Sequence, residues 1–317
     1  MWRWESNSRA GAIDIMNSTQ SMTAKRPDLA IVSLLIILQF SCNHTEKEAK
    51  PVSPEAPVIE NKGVKIAYTD SGMGDTVLLF VHGWCINKTY WSEQVAHFSN
   101  KYRVVTLDLP GFGQSGKNRT IWTTEAYGSD VDTLMSKLDL HHVILIGHSM
   151  AGDIVLQAAV HAPGRIIGIV GIDNFKGFGS LETKQDKDEY AKVIEILRHH
   201  FKQTAFQYMN ESLFSKTTAD SIKRRVLNDV ANSDSVIAVD CMERSDFNEV
   251  KTLKALNMKL FLINSDVTPT DSTGFVKNNI SYRILSVHGT GHYPMVEDPN
   301  SVDSLLERVM AEVKSPL

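Results

Sequence analysis

The sequence predicts an α/β protein: a mostly parallel sheet with helices on both faces, interrupted late by a helical insertion. Short apolar runs end at loops containing Gly or Pro, and segments with apolar residues every three to four positions separate them. One stretch, 176–250, is helix-like and poor in strands before the strand pattern returns. Taken in order, KIAYTDSG (65–72) reads as a strand running into a Gly turn, and TVLLFVHG (76–83) as a buried strand whose apolar run ends at Gly. WSEQVAHF (91–98) has helical spacing. YRVVTLDLPGFGQSG (102–116) repeats the plan, with a strand from Tyr102 to Leu107 and then a Gly/Pro loop. TEAYGSDVDTLMSKLD (124–139) is a helix entered from Thr123 or Thr124 as its N-cap. HVILIGHS (142–149), the helix GDIVLQAAVHA (152–162) and the strand RIIGIVGID (165–173) follow. Within the insertion, EYAKVIEILRHHF (189–201), TAFQYMNESLF (204–214) and ADSIKRRVLNDVA (219–231) each have an apolar stripe. MKLFLINSD (258–266) and SYRILSV (281–287) resume the sheet, and a helix near 300–314 ends the chain.

Composition narrows the function classes. The 317 residues are 42% hydrophobic, enough for a large core, and 33 Lys and Arg against 37 Asp and Glu leave a net charge of −4. No run of like charge makes a nucleic-acid footprint, so no nucleic acid is expected as a partner. Cys42, Cys85 and Cys241 lie far apart without a CxxC pair, which argues against a structural zinc site or a thioredoxin-like centre. The chemistry that the motifs suggest needs no metal and no cofactor.

Residues 29–40, LAIVSLLIILQF, follow Lys25 and Arg26 and precede Ser41-Cys42. At about 20 apolar residues per bilayer crossing the run is too short to span, and it reads as an export signal. It resembles the bacterial lipoprotein signal, whose cleavage leaves an N-terminal cysteine that is acylated: the small Ser41 fits, while Leu38 lies four residues before Cys42 and Gln39 occupies the usual Leu position. That resemblance implies an exported protein held at the bilayer by a lipid on Cys42, with a soluble periplasmic or secreted protein as the alternative. The 21 residues before Met22 make an unusually long n-region, so translation from Met22 or Met16 is a second reading. The expected organisation is a signal region 1–42, a polar Pro-containing tether 43–60, a core of 61–175 and 251–317, and a helical cap 176–250.

The chemistry centres on Gly147-His148-Ser149-Met150-Ala151-Gly152, at a strand-to-helix junction. A sharp turn there exposes a hydroxyl at the C-terminal edge of the sheet and needs small neighbours; Ala151 holds the second Gly position of G-x-S-x-G, with Gly152 directly after. With HGW (82–84), DLPGFGQSG (108–116) and GTGHYPMVEDP (289–299) in the same order, the chain resembles the α/β-hydrolase fold family across about 63–314. The resemblance implies that fold, with a helical cap, Ser149 as nucleophile and His292 as base; His288 is the competing histidine. An imidazole titrating near pH 6.5 can take the serine proton and return it to the leaving group.

The acid stays open. In the usual family pattern it follows the penultimate core strand, and that spacing lands on Thr268, which carries no charge. Asp266 stands two residues earlier and Asp271 three later, whereas Asp173 ends the strand after the nucleophile helix, where some relatives of this fold place their acid. The oxyanion hole is expected from the backbone N–H groups of Trp84 and Met150. Asp108 is read as a brace for the Gly-rich loop, which lacks the Lys of a phosphate cradle.

A serine nucleophile implies an acyl-enzyme and a small-molecule carboxylic ester as substrate. Amide or N-terminal peptide cleavage and carbon–carbon bond hydrolysis use the same groups, and a non-catalytic binding protein on the same frame is the reading from another class. Aminopeptidase action would employ an acidic cluster such as Asp186, Asp188 and Glu189, which a solvated helix start explains as well. Phe175, Phe178, Phe206 and Tyr208 are the candidate lining of the pocket.

Overall fold

The computed structural model describes residues 56–180, 183–243 and 247–314, so the signal region with Cys42 lies outside the described residues. Eight strands form one sheet: β1 (Val58–Asn61), β2 (Val64–Asp70), β3 (Val77–Val81), β4 (Arg103–Leu107), β5 (Val143–His148), β6 (Ile166–Ile172), β7 (Leu260–Ser265) and β8 (Tyr282–Val287). Their order is β1-β2-β4-β3-β5-β6-β7-β8. β1/β2 and β2/β4 are antiparallel and every other pair is parallel. Each residue of β3, β5 and β7 is buried, as befits parallel strands covered on both faces.

The first strand corrects the tether boundary. Val58 and Ile59 lie in the stretch expected to be unstructured, yet they pair with Ala67 and Ile66. The hairpin turns on Lys62 and Gly63, with φ of 48° and 82°, the positive-φ pair that suits a two-residue connection. Asn61 then donates to the Asp130 carboxylate at 2.8 Å, tying the hairpin to the helix behind it.

Ten α-helices are described: α1 (Ser92–Phe98), α2 (Thr124–Lys137), α3 (Ala151–His161), α4 (Lys184–Tyr208), α5 (Asp220–Asn232), α6 (Ser235–Met242), α7 (Glu249–Leu256), α8 (Thr273–Lys277), α9 (Pro294–Glu297) and α10 (Pro299–Lys314). Thr123 caps α2 by accepting the Ala126 N–H. The pleat sorts the long helices between the two faces. A methyl group on Gly147 would strike Ala151 and Val155 of α3, while Gly168, level with Ile144, meets Val313 of α10. Gly147 and Ile144 have opposite parity along β5, so α3 and α10 cover opposite faces.

α4, α5 and α6 form the inserted cap, and α7 already returns to pack on α3. α4 begins with a capping box between Thr183 and Asp186 and kinks at His200, whose φ of −133° breaks the helix. The cap is fastened to the core by polar contacts: the Trp84 indole N–H donates to Ala238 O at 2.8 Å, and the Tyr90 hydroxyl to Asp229 at 2.8 Å. Among the described residues no helix is long and apolar enough to cross a membrane.

Candidate active site

Ser149 stands between the end of β5 and the start of α3 with a φ of +54°, a left-handed conformation that a non-glycine residue adopts only under constraint. Its N–H donates to Ile172 O at 3.0 Å, carrying the β5/β6 ladder into the turn. The crowding explains the motif. A Cβ on Gly147 would come within 2.5 Å of Ala151 O, and one on Gly152 within 2.8 Å of the Phe175 ring. The demand for glycine therefore falls on 147 and 152, and Ala151 is accommodated between them with its methyl buried.

His292 follows β8 and reaches Ser149 across the sheet edge. Its Nδ1 lies 2.6 Å from Asp173 Oδ2 and its Nε2 lies 2.7 Å from Ser149 Oγ. An ionised carboxylate only accepts, so Nδ1 carries the ring proton and Nε2 is left to accept the serine O–H. The His292 N–H donates to Leu213 O of the cap at 2.7 Å, and Gly291 lets the chain pass there, since a Cβ would sit 2.5 Å from the same oxygen. Burial would raise the Asp173 pKa, but the His292 hydrogen bond and charge, then the Lys176 ammonium, outweigh it and hold the carboxyl well below the usual range.

Asp173 and Asp266, both candidates for the acid, have different partners. The exposed Asp266 carboxylate accepts from the His288 ring at 3.0 Å and from the Gly289 N–H at 3.0 Å, on the surface beyond β7. His288 is thus occupied with Asp266 and not with Ser149. Asp271 accepts the Thr273 N–H at the start of α8. Asp173 alone of the three meets His292.

Trp84 and Met150 flank the nucleophile. Gly83 brings the turn before Trp84 close enough that a Cβ there would lie 3.0 Å from Ser149 Cβ and 2.6 Å from His148 Nδ1. His82 fixes this turn: its Nε2 accepts the Leu109 N–H at 2.9 Å, which leaves Nδ1–H to donate to Gly83 O at 2.7 Å. Burial depresses its pKa and favours the neutral ring. Asp108 braces the neighbouring loop as the sequence implied, accepting the N–H groups of Lys88 and Gln114 and the Lys88 ammonium at 2.7–2.8 Å.

Several contributors escaped the sequence reading. Ser265 donates both its N–H (2.8 Å) and its hydroxyl (2.7 Å) to Asp173 Oδ1, and the Lys176 ammonium reaches the same oxygen at 2.8 Å. His148 donates from Nε2 to the His292 carbonyl oxygen at 2.7 Å, and burial and then His292 push its pKa down to about 3, so its ring stays neutral. Asn174 and Asn264 exchange hydrogen bonds across the ends of β6 and β7, and Asn174 also donates to Gly147 O. The signal available for Lys176 was its place three residues after a carboxylate at a strand end.

Beside Trp84 a small apolar cavity opens among the cap helices, lined by residues that include Trp84, Val193, Leu197, Tyr208 and Met242. Of the proposed aromatic lining only Tyr208 borders it. Phe178 instead stacks on Phe275 at 4.1 Å, and Phe175 covers Gly152. Asp186, Asp188 and Glu189 are exposed in the first turns of α4. Cys85 and Cys241 are both buried, and Cys241 Sγ lies 2.9 Å from the Tyr127 hydroxyl. Among the described residues no group of three or more His, Cys, Asp or Glu side chains is placed to hold a metal ion.

The profile of the alpha/beta hydrolase fold matches residues 76–266. The chain is 30% identical over 143 residues to the dihydrolipoyllysine-residue acetyltransferase component of the acetoin cleaving system of Cupriavidus necator, covering 43% of this chain and 38% of that one. It is 22% identical over 265 residues to 3-oxoadipate enol-lactonase 2 of Acinetobacter baylyi, covering 82% and 98%. The first curated relatives are matched over only 29% to 38% of their own length. A thermophilic esterase from Thermogutta terrifontis superposes with a TM-score of 0.70 at 20% identity, covering 82% of this chain and all of that one, a likeness of fold.

Proposed function

Because the chain belongs to the alpha/beta hydrolase fold family, we propose that it is a serine hydrolase that cleaves small carboxylic esters through an acyl-enzyme. The observation that carries this reading is the relay from the Ser149 hydroxyl to His292 Nε2 and from His292 Nδ1–H to Asp173, with bonds of 2.7 and 2.6 Å. In this reading Ser149 Oγ attacks the ester carbonyl while His292 takes its proton, and Asp173 stabilises the imidazolium that forms. The N–H groups of Trp84 and Met150 receive the negative oxygen of the tetrahedral intermediate. His292 then protonates the leaving alkoxide. A water molecule, deprotonated by the same ring, releases the acid and restores Ser149.

The cavity beside Trp84 supports an apolar acyl chain as the part of the substrate that is held. The indole N–H is already bonded to Ala238, so Trp84 offers the cavity its ring and no free donor. The enol-lactonase relative adds cyclic esters to the panel worth trying. The acidic residues that an aminopeptidase reading would use are exposed at the start of α4, where Asp186 serves the capping box. The test uses aryl esters of graded acyl length and lactones, with the parent and Ser149→Ala. Turnover by the parent and a loss of about a million-fold in kcat in the variant are expected. Equal turnover by a pure, folded Ser149→Ala protein would refute the assignment.

A further inference from the structure

Asp173 has more donors than the relay requires. One oxygen, Oδ2, is given to His292, while Oδ1 accepts from the Ser265 N–H, the Ser265 hydroxyl and the Lys176 ammonium. Two neutral donors already hold the carboxylate in place. What the lysine adds is charge. Its side chain is 17% exposed, and its Nζ also faces Ser265 O at 3.0 Å, Ser265 Oγ at 3.1 Å and Thr268 O at 2.8 Å. Thr268, whose carbonyl oxygen accepts from this ammonium, is the position on which the usual spacing of the acid falls.

A permanent cation on the carboxylate weakens the hold of that carboxylate on an imidazolium, and it repels the imidazolium directly. Removing the cation should therefore leave the carboxylate's full charge to an imidazolium and lift the repulsion. The other charged and titratable groups around the relay do not supply this effect. From the β5 turn comes His148, neutral because burial holds its pKa near 3. From α4 comes Tyr208 and from the loop before α9 Tyr293, both pushed up by burial and so uncharged. Glu297 of α9 accepts the N–H groups of Gly291 and Tyr293 and the Thr218 hydroxyl. Asp266 is paired with His288 at the surface. Among the described residues facing the relay, Lys176 supplies the ammonium that pairs with Asp173.

We propose that Lys176 is a positioning residue that acts through Asp173 to set the lowest pH at which His292 is free to serve as base. The kinetic arm of its test rests on the serine-hydrolase reading; a spectroscopic arm does not. The His292 ring is titrated by NMR in histidine-labelled parent, Lys176→Met, Lys176→Arg and Ser265→Ala, and the pH profile of kcat/KM on an aryl ester is taken alongside. Lys176→Met should move the ring titration and the acid limb together to higher pH by about one unit. Lys176→Arg, which keeps the charge, should stay with the parent. Ser265→Ala, which removes a neutral donor and leaves the ammonium, should move the limb far less than Lys176→Met. A folded Lys176→Met with the parent's ring titration overturns the proposal, as does a shift equally large in Ser265→Ala. Should Lys176→Met not fold, Lys176→Gln takes its place, and failure of both to fold would make the lysine structural and overturn the assignment. An inactive parent with the NMR shift intact would refute the ester reading and leave this one standing.

Discussion

Replacing Asp173 by Asn removes one charge and almost no volume, and the surrounding donors decide how the new side chain sits. Asp173 Oδ1 lies among three of them, the Ser265 N–H, the Ser265 hydroxyl and the Lys176 ammonium. An asparagine must place its carbonyl oxygen there, because an NH2 group would face donors on every side. Its NH2 is then turned onto His292 Nδ1, which must accept instead of donate. The ring is driven into the tautomer with the proton on Nε2, and Nε2 can no longer take the serine hydroxyl proton. Loss of the correct tautomer together with loss of imidazolium stabilisation is expected to lower kcat by about 10⁴-fold. That corresponds to about 5 kcal/mol of transition-state stabilisation. The assay is kcat and KM on an aryl ester at a pH above the acid limb, with circular dichroism to certify the fold, and Asp266→Asn as the comparison. Asp266 accepts from the exposed His288 and Gly289, so its variant should keep activity within about threefold, as surface changes away from a site do. A folded Asp173→Asn enzyme within tenfold of the parent, or a greater loss in Asp266→Asn, would refute this reasoning.

Two further outcomes are expected from the packing. Gly83→Ala would put a methyl group 2.6 Å from His148 Nδ1 and 3.0 Å from Ser149 Cβ, pushing away the turn that carries the Trp84 N–H; kcat should fall by about 100-fold, the effect of losing one oxyanion donor, with KM little changed. Full activity in that variant would dissociate the turn from the chemistry. Val193→Trp narrows the cavity under the cap from a half-buried position on α4. It should lower kcat/KM for long acyl esters by at least about tenfold while sparing acetyl esters, and an equal effect on both series would place the acyl chain elsewhere.

The sequence by itself determined the elements and where along the chain the candidate site residues stand. Apolar runs such as VLLFV in β3 and VILIG in β5 can be satisfied only by strands covered on both faces, and Ser149 and His292 stand just beyond such runs, where side chains emerge at the sheet edge. The cap was legible because its apolar residues recur at helical spacing and its charges at the intervening positions. The start of the fold was misplaced because β1 is only four residues long and half-exposed, a pattern indistinguishable from a tether until its partner strand is in view.

What only the tertiary structure decided is the identity of the carboxylate beside His292. Both Asp173 and Asp266 end an apolar strand, and no local pattern separates them. Parallel pairing does. Ser265 of β7 is level with Val287 of β8, so the next residues, Asp266 and His288, emerge side by side and pair with each other. Ile172 of β6 is level with Ile263 of β7, which brings Asp173 to the Ser265 amide and, across the sheet edge, under His292. Register between parallel strands is set by the packing of whole faces over crossovers of many residues. A one-residue slip would turn the strand's side chains to the other face and separate these pairs, and the observed arrangement also places the Lys176 ammonium on the carboxylate it shares with His292.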